Sequence, residues 1–384
     1  MQSIHNIFFE NSKNMSNIPS NSIDLVVTSP PYPMIQMWDE LFNTQNTKIS
    51  KYLSDNNGMA AFNLMHENLN LIWNELWRVV KEGGFVCINI GDATRTLNNV
   101  FALYPNHSKI ISNMLELGFQ SLPEILWRKQ TNAPNKFMGS GMLPAGAYIT
   151  LKHEHILIFR KGGKRDFKKS NEKKERRESS FFWEERNLWF SDIWMDLKGT
   201  PQKISDKKIR KRSAAFPFDI PYRLINMFSV KGDTVLDPFL GVGTTTLAAM
   251  SACRNSIGYE LEQGFQDLIL LGIDNIVSYS NDRIDKRIDK HLSFVEERIK
   301  NGKEFKHINN YYNFPVITKQ EIDLNLNKLI SVNTENKSKI EINYLENEQK
   351  DLIIDTGNGL KSKLLEPKLP NKKKSSKTGT FYRY

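Results

Sequence analysis

The chain has 384 residues, of which 39% are hydrophobic, 25% charged and 11% aromatic, which is enough apolar material for a sizeable core and excludes wholesale disorder. Lys and Arg number 53 against 43 Asp and Glu, and this net charge of +10 favours a polyanionic partner without identifying one. Two cysteines, Cys87 and Cys253, exclude a disulfide framework or Cys-rich zinc module, no apolar run approaches a membrane span, and Met1–Asn14 lacks the pattern of a signal peptide, so the expectation is a soluble, cytoplasmic protein with no membrane partner.

In chain order, Ile4–Phe9 is a short candidate strand, and Ile23–Thr28 is a stronger one, an apolar run rich in β-branched residues as a buried parallel strand requires. It stops at Ser29-Pro30-Pro31-Tyr32, because two prolines cannot continue a ladder. Leu69, Ile72, Trp73, Leu76, Trp77 and Val80 recur at helical spacing, and Gly83-Gly84 is the expected stop, with Lys81 in the last turn. Phe85–Ile90 reads as a strand, Ile110–Leu117 as a helix and Pro123–Arg128 as a strand. Asp92 follows Asn89-Ile90-Gly91 at a strand end, where a catalytic role and a capping role for the next helix are both open. His153 and His155 alternate along the strand Thr150–Phe159 and face the same way, but no third ligand makes them a metal site, and none is expected.

Arg160–Arg212 holds 18 Lys and Arg against 9 Asp and Glu, nearly the whole charge excess in one seventh of the chain. Within it, Lys161–Lys174 reads either as a phosphate-contacting run or as a solvated face, and Phe181–Trp194 as a small aromatic core or as base-stacking groups. Further on, Ile220–Phe228 is a helix, Thr234–Leu236 a strand, Asp237–Gly243 a Gly-rich loop, Thr244–Ala252 a helix and Ser256–Tyr259 a strand that ends at Glu260. Strands alternating with helices predict a parallel sheet covered on both faces. The tail after Ser278 is rich in Lys, Asn and Glu and ends in Lys372-Lys373-Lys374-Ser375-Ser376-Lys377.

Two segments carry chemistry. Strand, Gly-rich loop, helix, strand and acidic residue is the order that holds an adenosine-containing cofactor: glycines let the backbone approach, and a carboxylate 17 residues after Gly243 can accept from ribose hydroxyls. No phosphate-binding Lys follows the glycines, which excludes a P-loop, and Ala248 stands where a third dinucleotide-type glycine would fall. In Thr28-Ser29-Pro30-Pro31-Tyr32, prolines fix the carbonyl directions, Ser29 offers a hydroxyl and Tyr32 a flat face, which suits a planar ring bearing an amino group; a rigid turn with an incidental Tyr has the same local sequence.

Taken together, Asp24-Leu25-Val26-Val27-Thr28-Ser29-Pro30-Pro31-Tyr32 and Val235-Leu236-Asp237-Pro238-Phe239-Leu240-Gly241-Val242-Gly243-Thr244-Thr245 resemble the amino-group DNA methyltransferases that use S-adenosyl-L-methionine. Ala215-Phe216-Pro217, Ile220-Pro221-Tyr222-Arg223-Leu224-Ile225 and Ile257-Gly258-Tyr259-Glu260 extend the resemblance, which covers roughly residues 1–160 and 213–300. The catalytic motif precedes the cofactor loop, as in the permuted, beta arrangement. The resemblance implies an α/β, Rossmann-like, circularly permuted S-adenosylmethionine-dependent fold with an inserted target recognition region. Its expected divisions are a catalytic half at 1–128, the recognition region at 129–212, a cofactor half at 213–300 and a basic extension at 301–384.

The resemblance also implies roles. The target base is flipped from duplex DNA and its amine attacks the methyl group directly, with no covalent enzyme intermediate, in keeping with the absence of a Pro-Cys dipeptide. Ser29 and the Pro30 carbonyl accept from the amine, Pro31 fixes the turn, and Tyr32 stacks on the ring for about 1–3 kcal/mol. Asp237, Phe239, Gly241, Gly243 and Thr244 surround the cofactor and Glu260 binds its ribose. Relatives often have an acidic residue near Asn11, where Glu10 is adjacent here. Ser rather than Asp or Asn before Pro-Pro-Tyr implies cytosine N4 as the target, with adenine N6, an RNA substrate or a non-catalytic DNA-binding relative as the alternatives. A cognate restriction endonuclease is the implied partner.

Overall fold

The structure is a computed structural model that describes residues 1–129, 138–198 and 216–346. The strands are β1 (Gln2–Phe8), β2 (Ile23–Thr28), β3 (Val80–Ile90), β4 (Ala93–Leu97), β5 (Val100–Tyr104), β6 (Gln120–Arg128), β7 (Met138–Gly139), β8 (Ala147–Tyr148), β9 (His153–Arg160), β10 (Ile193–Trp194), β11 (Thr234–Asp237), β12 (Asn255–Tyr259), β13 (His307–Ile308), β14 (Pro315–Val316), β15 (Leu329–Asn336) and β16 (Lys339–Tyr344). Ten of them form one sheet in the order β10-β6-β9-β3-β2-β11-β12-β1-β16-β15. Its centre, β3-β2-β11-β12-β1, is parallel throughout.

The flanks are not parallel, which corrects the sequence expectation. β9 runs antiparallel between β3 and β6, and β16 runs antiparallel to β1 and β15. β9 also lies within the stretch assigned to target recognition, so that stretch contributes an inner strand of the main sheet. Likewise, residues 329–344 of the expected extension close the sheet edge beyond β1; the rest of that extension from residue 347 on, with its lysine-rich end, lies outside the described residues, as does Ala215.

β2 shows why the layers form. All six of its residues are buried. Val26 packs into one apolar cluster with Leu69, Ile72, Trp73 and Leu76 of the helix Gly58–Val79. Leu25 and Val27 point the other way, into a cluster with Ile220, Leu224 and Ile225 of the helix Asp219–Phe228 and with Ala248 and Ala249. Period-two alternation thus buries both faces, at about 1.5–3 kcal/mol for each large aliphatic side chain. The helix Gly58–Val79 ends before the predicted Gly83-Gly84 stop. Val80 is already extended and pairs with Ile23, Lys81 lies in β3, and the glycines fall next to a register irregularity between β2 and β3.

Candidate active site

Because the central strands are parallel, their carboxyl ends share one edge, where ligands bind in open α/β sheets. A cavity of about 620 Å³ opens there. It is lined by Glu10 and Asn11 after β1, Ser29–Tyr32 after β2, Asn89 near the end of β3, Asp237–Gly241 after β11 and Glu260 after β12. The two sequence motifs are thereby walls of a single cavity, and Thr28 Oγ1 donates to Asp237 Oδ1 at 2.6 Å across 209 residues.

On the cofactor-loop side, Asp237 also accepts from Thr245 Oγ1 at 2.6 Å and from the Phe239 N–H at 3.0 Å. Burial pushes its carboxyl up to about 6, against these bonds. Phe239 packs edge-on against Trp73 with ring centres 6.1 Å apart, and Thr244 lines the cavity. Gly241 donates its N–H to Glu260 Oε2 at 2.7 Å. Gly243 is set back from the cavity: it caps the helix Thr244–Ser251 with φ +82, a conformation that a side chain would strain. Glu260 accepts a second N–H, from Glu262, at 2.8 Å, and burial raises it to about 7, helped by the nearby Asp237 charge. Asn11 lines the cavity while its Oδ1 accepts from the Lys13 N–H.

On the other wall, Ser29 Oγ lies 3.2 Å from Tyr32 Oη, and Tyr32 donates to Glu154 Oε2 at 3.0 Å. Asn89 Nδ2 donates to Glu154 Oε2 at 2.7 Å and to Tyr32 Oη at 2.9 Å. Lys129 pairs with the other oxygen of Glu154. Desolvation, and then the Glu154 charge, lift the Tyr32 phenol well above its ordinary range, so it remains a donor. The Tyr32 ring also lies over Gly91, where a Cβ would come within 2.9 Å of it. Sequence reasoning missed Asn89, Glu154 and Lys129 as site residues. The signal available was a lone carboxylate between His153 and His155, at the start of a strand whose Ile156–Phe159 run is apolar.

Asp92 is not the N-cap of the helix Asn106–Glu116, which is Pro105, but it accepts a first-turn N–H of that helix, from His107, at 3.1 Å and the His107 ring N–H at 2.8 Å. His155 does not pair with His153 toward a metal. It stacks on His107 at 3.9 Å with planes 7° apart, and its Nδ1 lies 3.3 Å from Glu124. Asp92, His107 and His155 do bring their ligand atoms within 4.8 Å of one another. Parallel rings, however, aim their lone pairs into separate planes, which suits a stack better than one shared ion. The bond to Asp92 raises His107, whereas burial and then the His107 charge lower His155, so the two stacked rings are shifted in opposite directions.

The basic stretch is divided. Lys161 is 6% exposed rather than solvated, and its ammonium donates to Val80 O at 2.9 Å and Trp77 O at 2.6 Å. Arg165 pairs with Asp233 at 2.7 Å and Asp24 at 3.6 Å. These contacts lie at the amino ends of β3, β11 and β2, so Lys161–Glu178 sits at the sheet end opposite the cavity. Residues 199–212 of the stretch lie outside the described residues. Phe182 and Trp194 are buried in two different apolar clusters and Trp189 is buried as well, while Trp183 and Phe190 remain exposed. Gly139-Ser140-Gly141 and Pro144-Ala145-Gly146 belong to the β7–β8 hairpin, whose Tyr148 stacks on Phe101 at 4.4 Å and whose neighbours Met142, Leu143 and Ile149 are strongly exposed. Among the described residues no helix is long and apolar enough to cross a membrane.

A family model described as a DNA methylase, of the N6/N4 methyltransferase type, matches residues 23–271. The chain is 54% identical over 327 residues to the Type II methyltransferase M.MthZI of Methanothermobacter thermautotrophicus, covering 85% of this chain and 91% of that one. It is 51% identical over 276 residues to M.MjaI of Methanocaldococcus jannaschii, covering 69% and 89%. Among solved structures it is similar to TTHA0409, a DNA modification methylase of Thermus thermophilus in complex with S-adenosyl-L-methionine, at 28% identity and a TM-score of 0.54 over 69% of this chain and 91% of that one.

Proposed function

Starting from the chain's membership of the N6/N4 family of S-adenosylmethionine-dependent DNA methylases, we propose that it methylates the exocyclic N4 amine of cytosine at a specific duplex site, as the protective partner of a restriction endonuclease. One observation carries the reading: an amine-accepting Ser-Pro-Pro-Tyr wall and a Gly-rich loop with its carboxylate face one cavity. Ser29, in place of Asp or Asn, favours cytosine, and similarity to Type II methyltransferases supports the protective role.

The cavity fits the cofactor. Its volume lies within the ~300–1,000 Å³ usual for such ligands. Glu260 is placed to hold ribose hydroxyls, Gly241 allows close approach, and Phe239 presents an aromatic face. Asp237 acts one step back, clamping β2, the loop and Thr245 together. When bound, S-adenosylmethionine supplies an electrophilic methyl group on sulfonium sulfur. Ser29 Oγ and the Pro30 carbonyl accept the amine hydrogens, which turns the nitrogen lone pair toward the methyl. Tyr32 stacks on the flipped ring, and the rigid Pro30-Pro31 turn holds these groups at fixed separation, so the acceleration comes mainly from positioning. The exposed β7–β8 hairpin at the cavity end is the described element best placed to meet DNA.

Ser29→Ala and Tyr32→Ala test this assignment. Each should lower the methyl-transfer rate ~100-fold or more, with S-adenosylmethionine affinity, measured calorimetrically, nearly unchanged. Full activity in both variants contradicts it.

A further inference from the structure

Four side chains behind the acceptor wall fix each other's hydrogens. A carboxylate only accepts, so Oε2 of Glu154, a residue 6% exposed, must receive both Asn89 Nδ2–H at 2.7 Å and the Tyr32 hydroxyl at 3.0 Å. The Asn89 amide cannot be reversed, because its oxygen would then face the carboxylate. Its second hydrogen goes to Tyr32 Oη at 2.9 Å; Ser29 Oγ, at 3.5 Å, is the more distant acceptor. Tyr32 has now spent its own hydrogen on Glu154 and has one lone pair left, 3.2 Å from Ser29 Oγ. The only hydrogen available for that contact belongs to Ser29.

We propose that Glu154 is a positioning residue that sets the direction of this chain, so that Ser29 donates to Tyr32, Tyr32 donates to Glu154, and both lone pairs of Ser29 stay open to the target amine. Without an acceptor-only partner at its end, Tyr32 turns its hydroxyl toward Ser29, which takes one lone pair and leaves the Ser29 hydrogen without its acceptor, free to turn toward the amine where a lone pair is needed. Lys129, paired with the opposite oxygen, holds the Glu154 carboxylate in place. The inference rests on the reading of Ser29 as amine acceptor given above.

Tyr32→Phe, Glu154→Gln and the double variant provide the test, with single-turnover methyl transfer, KM for a duplex substrate and calorimetric affinity for S-adenosylmethionine as readouts. Tyr32→Phe keeps the stacking face and replaces no charged residue, although it takes one donor from Glu154, and should slow single-turnover transfer roughly tenfold or more. Glu154→Gln should slow it comparably, with KM and cofactor affinity within about twofold. The double variant should be no slower than Tyr32→Phe alone, because both changes break the same chain. Wild-type rates in Tyr32→Phe overturn the proposal, as do losses that multiply in the double variant, since Glu154 would then act by another route. Full activity in Ser29→Ala is a separate outcome and removes the acceptor reading itself.

Discussion

Asp237 and Glu260 stand at adjacent strand ends, and burial lifts both, to about 6 and about 7, but their bonds differ. Asp237 accepts three bonds from within the protein, from Thr28, Thr245 and the Phe239 N–H, whereas Glu260 accepts two loop N–H groups and keeps more of its lone pairs for the cavity. Ribose hydroxyls that donate to Glu260 favour its ionised form, so binding below its folded value must expel a proton. Cofactor affinity should therefore rise as pH rises through about 7 and level off above, and Glu260→Gln should flatten the profile while weakening binding; titration calorimetry from acid to mildly alkaline pH checks this. The unliganded protein should show the opposite trend. A carboxyl raised on folding contributes stability that is present below its ordinary value of 4.5 and is lost as pH climbs through the folded one. A pH-independent affinity would remove Glu260 from the ribose role. Ser29, Tyr32 and Glu260 were legible because each sits at a motif position at the end of an apolar strand. Glu154 was not, because its role depends on which strand lies beside β3, and no local pattern encodes that neighbour.

Among the elements, the helix Gly58–Val79 connects core to site. Trp73 is fully buried in it and meets Phe239 of the cofactor loop. Trp73→Ala should cost about 3–5 kcal/mol of stability by chemical denaturation and also weaken cofactor binding, because Phe239 loses its support. A stability loss with unchanged affinity would show that the loop holds itself. The helical face was readable from its spacing, but its end was not. Gly83-Gly84 looked like a stop, yet Val79-Val80 favours extension and Val80 already pairs with Ile23. A tertiary pairing overrode the local signal. For the same reason β2 could be read as a buried strand, while the antiparallel direction of β9 could not: apolar residues in a strand specify burial and leave the polarity of its neighbours open.

At the scale of the molecule, the sheet separates two ends. The Ser29–Tyr32 wall and the Gly-rich loop share the carboxyl edge, and Lys161–Glu178 occupies the amino edge, about 20 Å away along a six-residue strand. The charge sum located a basic segment but could not say which end it would occupy, since that depends on β9 running antiparallel. Replacing Lys168, Lys169, Lys173 and Lys174 with Ala should consequently leave methylation of a short duplex within about twofold of wild type at moderate salt. A large loss on that short substrate would place DNA against the amino edge and contradict the geometry. At the far side, β15 and β16 extend the sheet past β1, burying Ile340 and Ile342 and giving that edge the partner it would otherwise lack.

The most direct test of the central claim is nucleoside mass analysis of DNA from cells expressing the chain in a host without methylases of its own, beside an empty-vector control. N4-methylcytosine, present with the wild-type chain and absent with Ser29→Ala, is the predicted result. N6-methyladenine in its place would contradict the assignment of the target base.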